Sequence, residues 1–420
     1  MKRITLPIWI SVLIVGSLLT ACTGLLPGQD GPVTGDFGSP LTAQERHQRT
    51  FDALWKNVQE NYIYFDSANV DWEALQTRYT DRIQSGLTEQ EFEALLRELE
   101  SDLPDGALIY QSREERIAAD IADNSSYGGI GAYIGFEPEP VPHIVILAVM
   151  KNSPAEKAGI LAHDSLLAID GDPVLLEEGL DAVKRVRGPA GTTVALTVQS
   201  PGKAERVVQV TRAQLVGGGA LATSQVDGTK FGYILVPPVA YNGMSENVAS
   251  SLQNFADTKT FDGLILDLRV AGSSGAWPLD ELLTLFHDGA VGEYYNRADQ
   301  QDATITGRDL SGSQTVPLVV LVGRNTNGMP EILAGVLQQA GRATIIGEAT
   351  PGTIEGSDIF HLPDGSRVFL ETTSFRLTGG GELGNNGVQP DVPVETGWDE
   401  VQPNNDPVIK KAIEILEAQQ

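Results

Sequence analysis

Apolar residues recur at helical spacing in the first third of the chain. In two segments they fall at positions i, i+3, i+4 and i+7, so each set lies on one face of a helix. The two sets are Phe51, Leu54, Trp55 and Val58, and Phe92, Leu95, Leu96 and Leu99. Thr88 precedes the second set as a candidate N-cap, and Glu91 follows it three residues later, as in a capping box. The pattern predicts a helical domain over residues 42–125.

The pattern then changes to short apolar stretches separated by turns. Residues 144–149 are all apolar, and residues 166–169 lead into the turn dipeptide Asp170-Gly171. Val194, Leu196 and Val198 alternate with polar or small residues, which is typical of a half-buried strand. A β-rich domain with some helices is therefore predicted over residues 126–215.

In the last half of the chain, apolar strand-like stretches alternate with amphipathic helical stretches. The predicted strands are 233–236, 264–268, 316–322 and 344–346, and the predicted helices are 245–255, 279–286, 331–340 and 408–418. The strands carry little polarity, as expected for a sheet covered on both faces. This alternation predicts an α/β domain with a mostly parallel sheet over residues 216–420.

The N-terminus carries the features of an export signal. Lys2 and Arg3 precede an uncharged apolar run, which ends in Leu-Thr-Ala-Cys at Cys22. This tetrapeptide resembles a bacterial lipobox, and Cys22 is the only cysteine in the chain. We expect a signal peptide over 1–22, lipidation of Cys22, a flexible tether over 23–41 and an extracytoplasmic, membrane-anchored location in the cell envelope. An uncleaved signal anchor is the alternative, because the uncharged run continues to Gln29.

Charge and composition exclude several classes of function. The formal net charge of −27 argues against nucleic acid as a partner and against a basic membrane-binding patch. The five histidines are scattered and the single cysteine lies in the signal, so no metal site is predicted. Phosphate-loop and dinucleotide fingerprints are absent, so we expect no cofactor.

Motifs in the second and third regions resemble a known family. Residues 153–171 resemble the central signature of a bacterial PDZ domain, and residues 187–192 resemble a stretch typical of carboxyl-terminal processing (tail-specific) serine proteases. The family's strand ending in Asp-Leu-Arg, its Gly-Glu-x-Thr-x-Gly turn and its Gly-x-x-Pro-Asp motif are similar to 264–269, 347–352 and 387–391. The resemblance implies an N-terminal helical segment, a PDZ domain and an α/β tail-specific protease domain.

The resemblance also shows two substitutions at the catalytic positions. The family's nucleophile is a serine at the start of a helix, and its general base is a lysine beyond the Gly-Glu-x-Thr-x-Gly turn. These positions hold Gly328 and Thr353. Glycine has no hydroxyl, and threonine cannot accept a proton near neutral pH. No lysine occurs between Lys259 and Lys410, so no lysine in that stretch can replace the base.

Other candidate groups come from the same resemblance or from residue type. Gly272, Ser273 and Ser274 follow the Asp-Leu-Arg strand, where the family shapes its oxyanion hole, although their spacing differs and a plain turn is the alternative. In the PDZ region, the predicted carboxylate-binding loop and strand comprise Gly129, Ile130, Gly131 and Ala132. The alternatives for a relocated nucleophile are a serine beside His287 or His361, such as Ser357 four residues before His361, and Thr326.

Together these features predict a degenerate protease, a pseudoprotease that binds protein C-termini or extended peptides through its PDZ domain. An active serine-type endopeptidase with a relocated catalytic pair is the enzymatic alternative. A passive assembly scaffold is the third interpretation.

Overall fold

A computed structural model describes residues 41–124, 128–215, 221–259, 261–273, 277–384, 386–402 and 405–420. The predicted signal peptide, the lipidation residue Cys22 and nearly all of the tether lie outside the described residues, as does Ser274. Within the part of the chain that the structure describes, the helices are too short or too polar to cross a membrane.

The N-terminal region is a group of helices followed by one strand. Its elements are α1 (Ala43–Asn61), α2 (Trp72–Gln84), α3 (Glu89–Asp102), β1 (Leu108–Gln111) and α4 (Arg113–Asn124). Capping boxes begin α1 at Thr42 and α3 at Thr88, because each threonine is followed three residues later by a glutamate. Both predicted apolar faces are buried, which confirms the helical periodicity.

The central region is the β-rich PDZ domain. Its elements are β2 (Gly128–Gly129), β3 (Ala132–Glu137), β4 (His143–Val149), α5 (Pro154–Lys157), β5 (Ser165–Ile169), β6 (Asp172–Pro173), a 3-10 turn (Gly179–Ala182), α6 (Val183–Val186), β7 (Thr193–Gln199), β8 (Arg206–Thr211) and β9 (Ala213–Gln214). The main sheet has the order β3-β4-β5-β7-β8, and β2 pairs with β9. Because β3 pairs only with β4 among the described residues, its other edge is open.

The C-terminal region combines two sheets. Its elements are β10 (Ala222–Gln225), β11 (Phe231–Leu235), α7 (Met244–Asp257), β12 (Gly263–Asp267), α8 (Leu279–Phe286), β13 (Gly289–Tyr295), β14 (Gln300–Ile305), β15 (Leu318–Val322), α9 (Met329–Gln339), β16 (Thr344–Gly347), β17 (Gly356–His361), β18 (Arg367–Leu377), β19 (Gly381–Glu382), β20 (Val392–Pro393), a 3-10 turn (Trp398–Glu400) and α10 (Pro407–Ala418).

The first sheet confirms the predicted α/β architecture. Its order is β10-β11-β12-β15-β16-β20, and every neighbouring pair except β10-β11 is parallel. All residues of β12 and β15 are buried. Apolar side chains of α7, α8 and α9 pack in one core cluster with this sheet, and those of α10 pack in another. The carboxyl end of β15 leads directly toward α9.

The second sheet is antiparallel and was not predicted from the sequence. The long strand β18 pairs with β17, β13 and β19, and also with β1 of the N-terminal region, where Leu108 lies opposite Leu370. Two strands of this sheet, β14, which pairs with β13, and β17, are largely exposed and polar, so they lack the apolar run that marks a buried strand.

Candidate functional site

The turn between β15 and α9 has the backbone geometry of a nucleophile position. Gly328 is the N-cap of α9, with φ 69° and ψ −129°. Side chains are rarely found in this backbone region, whereas glycine adopts it easily. Strained strand-to-helix turns of this kind expose the nucleophile in α/β-hydrolases. At Gly328 no side chain projects from the turn, and Ser273 fills the space that a Cβ would need.

The Glu331 side chain joins the two substituted positions. It is fully buried, and its Oε2 accepts hydrogen bonds from the Gly328 N–H (2.9 Å) and the Thr353 N–H (3.0 Å). Its Oε1 accepts from the Gly352 N–H (2.6 Å) and the Thr350 hydroxyl (2.5 Å). A buried carboxylate with this many donors is well compensated for its loss of water. Glu331 thus brings Gly328 and Thr353 to a single oxygen atom.

The role of Glu331 is only partly predictable from the sequence, through one local signal. A glutamate three residues after an N-cap is the capping-box position, and such a glutamate reaches back to the N-cap N–H. The additional bonds to residues 350–353 depend on the tertiary fold. They could not be predicted from local sequence.

Thr353 occupies the position that the family resemblance assigns to the general base. Thr353 is exposed, and its hydroxyl lies 3.4 Å from Oε2 of Glu331. Its main-chain N–H holds the turn in place, so its clearest role is structural. The stretch between Lys259 and Lys410, which contains this turn, has no lysine.

Ser273 lies against the nucleophile position. A Cβ atom placed on Gly328 would overlap with Oγ of Ser273 and would lie 2.8 Å from its Cβ. The Gly272 N–H donates to the carbonyl of Pro238 (3.2 Å), so it is already bonded. The oxyanion role of Gly272, Ser273 and Ser274 stays a prediction, and Ser274 is outside the described residues.

Thr326 has a structural role, because its hydroxyl is hydrogen-bonded to the main chain. Its side chain is fully buried, its hydroxyl donates to the Leu268 carbonyl (2.8 Å), and it accepts from the Gly323 N–H (3.0 Å). These bonds fix the beginning of the turn that leads to Gly328. A hydroxyl held in this way is poorly placed to attack a substrate.

The histidine alternatives are not brought into a catalytic arrangement with Ser357. Ser357 and His361 lie four residues apart on β17, and both are exposed. Four residues of extended strand span roughly 13 Å, which is beyond hydrogen-bonding reach for these two side chains. Nε2 of His287 faces the Ala290 carbonyl at 3.3 Å.

A pair of acidic side chains lies just beyond Thr353. The Tyr64 hydroxyl of the N-terminal region donates to Glu355 Oε1 (2.7 Å). Burial, together with the negative charge of Glu355, raises the pKa of Glu371 to about 7. Glu355 and Glu371 therefore form an acidic pair in this part of the structure. A negatively charged neighbourhood would stabilise the protonated form of an introduced lysine.

The predicted peptide-binding residues run from β2, where Gly129 pairs with Ala213 of β9, into the edge strand β3. The Ile130 carbonyl accepts from the Ala155 N–H (2.8 Å), and the Gly131 carbonyl accepts from the Met150 N–H (2.9 Å). These bonds turn the loop carbonyls inward. Gly131 has φ 78°, and a Cβ there would lie 2.5 Å from Cβ of Ser153, so the loop requires glycine. Ala132 then begins the edge strand β3.

Within the described residues, no group of three or more His, Cys, Asp or Glu side chains could hold a metal ion.

Comparisons with known proteins cover each region. Profiles of the tricorn protease C1 domain, a PDZ domain and peptidase family S41 match residues 43–100, 145–200 and 230–394. The chain is 30% identical over 351 residues to a carboxyl-terminal-processing protease of Picosynechococcus, which covers 81% of this chain and 82% of that protein. It is 25% identical over 403 residues to the carboxy-terminal processing protease CtpB of Bacillus subtilis, and the match covers 92% of this chain and 77% of that protein.

Among solved structures, the photosystem II D1 C-terminal processing protease has a similar fold. The TM-score is 0.62 at 22% sequence identity, and the match covers 84% of this chain and 94% of that one.

Proposed function

The chain belongs to the carboxyl-terminal processing protease family and carries a PDZ domain, and from this premise we propose that it is a pseudoprotease that binds protein C-termini or extended peptides. The observation that carries the proposal is the pair Gly328 and Thr353, held at one carboxylate oxygen of Glu331. Peptide-bond cleavage through an acyl-enzyme needs an attacking oxygen and a base that removes its proton. Neither residue supplies its part.

The peptide-binding half of the proposal rests on the PDZ edge. Peptides that add to a sheet edge gain main-chain hydrogen bonds along the strand, and a glycine-rich loop receives the terminal carboxylate. Residues 129–132 and the open edge of β3 offer both elements among the described residues. The Gly131 backbone allows close approach of a ligand.

We further propose that the protein is exported and anchored to a membrane of the cell envelope by lipid on Cys22. The apolar run and the Leu-Thr-Ala-Cys sequence support this proposal. Mass spectrometry of the mature N-terminus tests it. A lipid-modified cysteine as the first residue is the expected result, and an intact Met1 or an unmodified Cys22 would contradict it.

The binding function is tested by calorimetry with free-carboxyl peptides and their amidated counterparts. We expect binding only with a free carboxylate, and loss of binding in Gly131→Ala, whose new Cβ meets Ser153. Gly159→Ala is the matched control, because it also has positive φ but no neighbouring atom within 4 Å. Equal binding of amidated peptides, or none at all, would favour an assembly scaffold instead.

A second candidate function is a serine peptidase with a relocated nucleophile. One observation favours it: the Ser273 hydroxyl lies where a side chain on Gly328 would project. The proton of that hydroxyl would still need a base. A fluorophosphonate probe, read by mass spectrometry, separates the two functions. Labelling that Ser273→Ala removes and Ser357→Ala preserves would support the peptidase and overturn the pseudoprotease, whereas no labelling is the expected result.

A further inference from the structure

The PDZ domain packs against the peptidase-like domain around one tryptophan. Trp398 lies in the short 3-10 turn before α10, and its indole N–H donates to the Ile146 carbonyl of β4 (3.2 Å). The ring of His163 stacks on it with 4.0 Å between ring centroids, and Nδ1 of His163 bonds the Trp398 carbonyl (2.6 Å). Val145, Leu147 and Val270 complete a small apolar cluster with this indole. The contact therefore includes a titratable ring at its centre.

A second histidine joins the same two domains through an ion pair. Nε2 of His143, at the start of β4, lies 2.8 Å from Oδ2 of Asp399, and its Nδ1 lies 2.7 Å from the Val141 carbonyl. The Val141 carbonyl can accept a hydrogen bond but cannot donate one, and the same is true of the ionised Asp399 carboxylate. A neutral imidazole has a single N–H, so only the imidazolium satisfies both. The Ser165 hydroxyl donates to the same Asp399 oxygen (2.9 Å).

The surroundings of His143 favour its charged form. The side chain is buried, which works against the charge, but the bond to Asp399, the Val141 carbonyl and the nearby Glu137 carboxylate raise the pKa of His143 above its usual value. The pKa of Asp399 is lowered despite its burial, mainly through the bond from His143. The pair is thus charged on both sides at neutral to mildly acidic pH.

The surroundings of His163 favour the neutral form. Burial, and to a lesser extent the Arg269 guanidinium, lower the pKa of His163, against the opposing effects of the Trp398 carbonyl and of Asp406 and Asp267. A neutral ring is sufficient here, because Nδ1 makes the one hydrogen bond that the structure gives it. Protonation would place a second cation near Arg269, which already lies 5.1 Å from the Trp398 ring.

We propose that these two histidines make docking of the PDZ domain onto the peptidase-like domain pH-dependent, with the tightest docking in mildly acidic to neutral solution and weaker docking on either side. The proposal requires neither catalysis nor a lipid anchor. It adds a mode of regulation that the family assignment and the proposed binding function do not contain.

The pH dependence of docking on each side of the maximum follows from the protonation state that each histidine favours in the docked state. His143 holds its proton more tightly in the docked state, so its contribution is complete below about pH 6.5 and is lost as pH rises through its raised pKa. His163 resists protonation in the docked state, so its contribution is complete above about pH 6.5 and is lost as pH falls through its lowered pKa. Docking is therefore expected to be tightest near pH 6.5.

Docking also fixes the peptide-accepting edge relative to the degenerate cleft. His143 lies opposite Glu137 of β3, and the Glu137 carboxylate pairs with Arg324 (3.1 Å) in the segment that leads to Gly328. Release of the His143–Asp399 pair would loosen β4 and its neighbour β3 together. The accessibility of the open edge would then change with pH.

Energy transfer between dyes on the two domains tests the proposal. The full chain with Cys22→Ser would carry cysteines at the exposed positions Val207 in the PDZ domain and Glu417 in α10, and transfer would be followed from pH 4.5 to 9. We expect a maximum near pH 6.5 with a fall on both sides. Circular dichroism over the same range would show that the secondary structure is kept.

Variants assign each side of the curve to one histidine. His143→Gln should remove the fall in energy transfer at alkaline pH, and His163→Gln should remove the fall at acid pH. Asp399→Asn, which changes the ion-pair partner of His143, should also remove the alkaline fall. His361→Gln, at an exposed histidine, should leave the curve unchanged. A flat curve for the parent protein, or an alkaline fall that survives in both His143→Gln and Asp399→Asn, would overturn the proposal.

Discussion

A side chain at Gly328 is predicted to be incompatible with Ser273 as the protein stands. The perturbation is Gly328→Ala, made alone and together with Ser273→Gly. Alanine adds only the Cβ atom, so the experiment measures the space and the backbone at this position without adding a new hydroxyl. It also determines whether residue 328 can carry a side chain after a single substitution.

The expected magnitude follows from two separate contributions. A residue other than glycine in the backbone region of Gly328 (φ 69°, ψ −129°) costs about 1–3 kcal/mol. Overlap of the new Cβ with the Ser273 side chain, whose Cβ lies 2.8 Å away, adds about 1 kcal/mol, at the low end of overpacking costs because Ser273 is exposed and can shift. Ser273→Gly relieves the second contribution only. We therefore expect a coupling of about 1 kcal/mol between the two substitutions.

The assay is urea-induced unfolding of the parent, the two single variants and the double variant. Gly159→Ala is the matched control, because Gly159 has φ 76° and open space, so it should carry a backbone cost of about 1–2 kcal/mol and no coupling to Ser273→Gly. Strict additivity of Gly328→Ala and Ser273→Gly would refute the reasoning. In that case Ser273 moves freely and does not block the nucleophile position.

Three other substitutions test the buried charges. Glu331→Gln should lower the free energy of unfolding by about 2–4 kcal/mol, because an amide cannot accept hydrogen bonds from all the N–H groups that the carboxylate binds. Faster hydrogen exchange at residues 350–353 would show the loss of these bonds. Burial raises the folded-state pKa of Glu371 to about 7, so the parent should lose stability as pH rises from 4.5 to 8. The full shift corresponds to about 3 kcal/mol, and solvent screening of the partly exposed side chain reduces the expected loss to about 1–2 kcal/mol. A Glu371→Gln variant that keeps this loss in urea titrations would contradict the assignment. Arg269→Met should cost about 3–5 kcal/mol by leaving buried Asp267 and Asp406 unpaired, and an unchanged urea midpoint would exclude that role.

The sequence predicts the parts of the fold whose signals are local. Helix faces such as Phe51 to Val58 and buried strands such as residues 264–268 follow from periodicity and apolar runs, and both are observed. The antiparallel sheet escaped prediction because its pairing joins distant segments, as in Leu108 opposite Leu370. Strands with one exposed polar face and bulges give a weak local signal.

In the candidate site, too, some positions follow from local motifs, whereas the contacts between them depend on the tertiary fold. Motif order in the resemblance assigns the two catalytic positions to Gly328 and Thr353, and that assignment stays a prediction. The bonds that Glu331 makes to residues 350–353, and the overlap of Ser273 with Gly328, arise from separate loops that meet only in the folded chain. Trp398 gave no signal either, since its partners lie on strands more than 200 positions earlier in the sequence.

The pairing of strand β18 limits the ways in which this protein can be divided into stable fragments. One end of it pairs with β1, and Val368 and Leu370 belong to the same apolar cluster as Phe51 and Leu54 of α1. The N-terminal helices and the C-terminal region therefore share a single folding unit, with the PDZ domain inserted into it. A fragment that begins at the PDZ domain would expose the apolar side of β18 and is expected to aggregate, whereas excision of the PDZ domain alone would leave that unit whole.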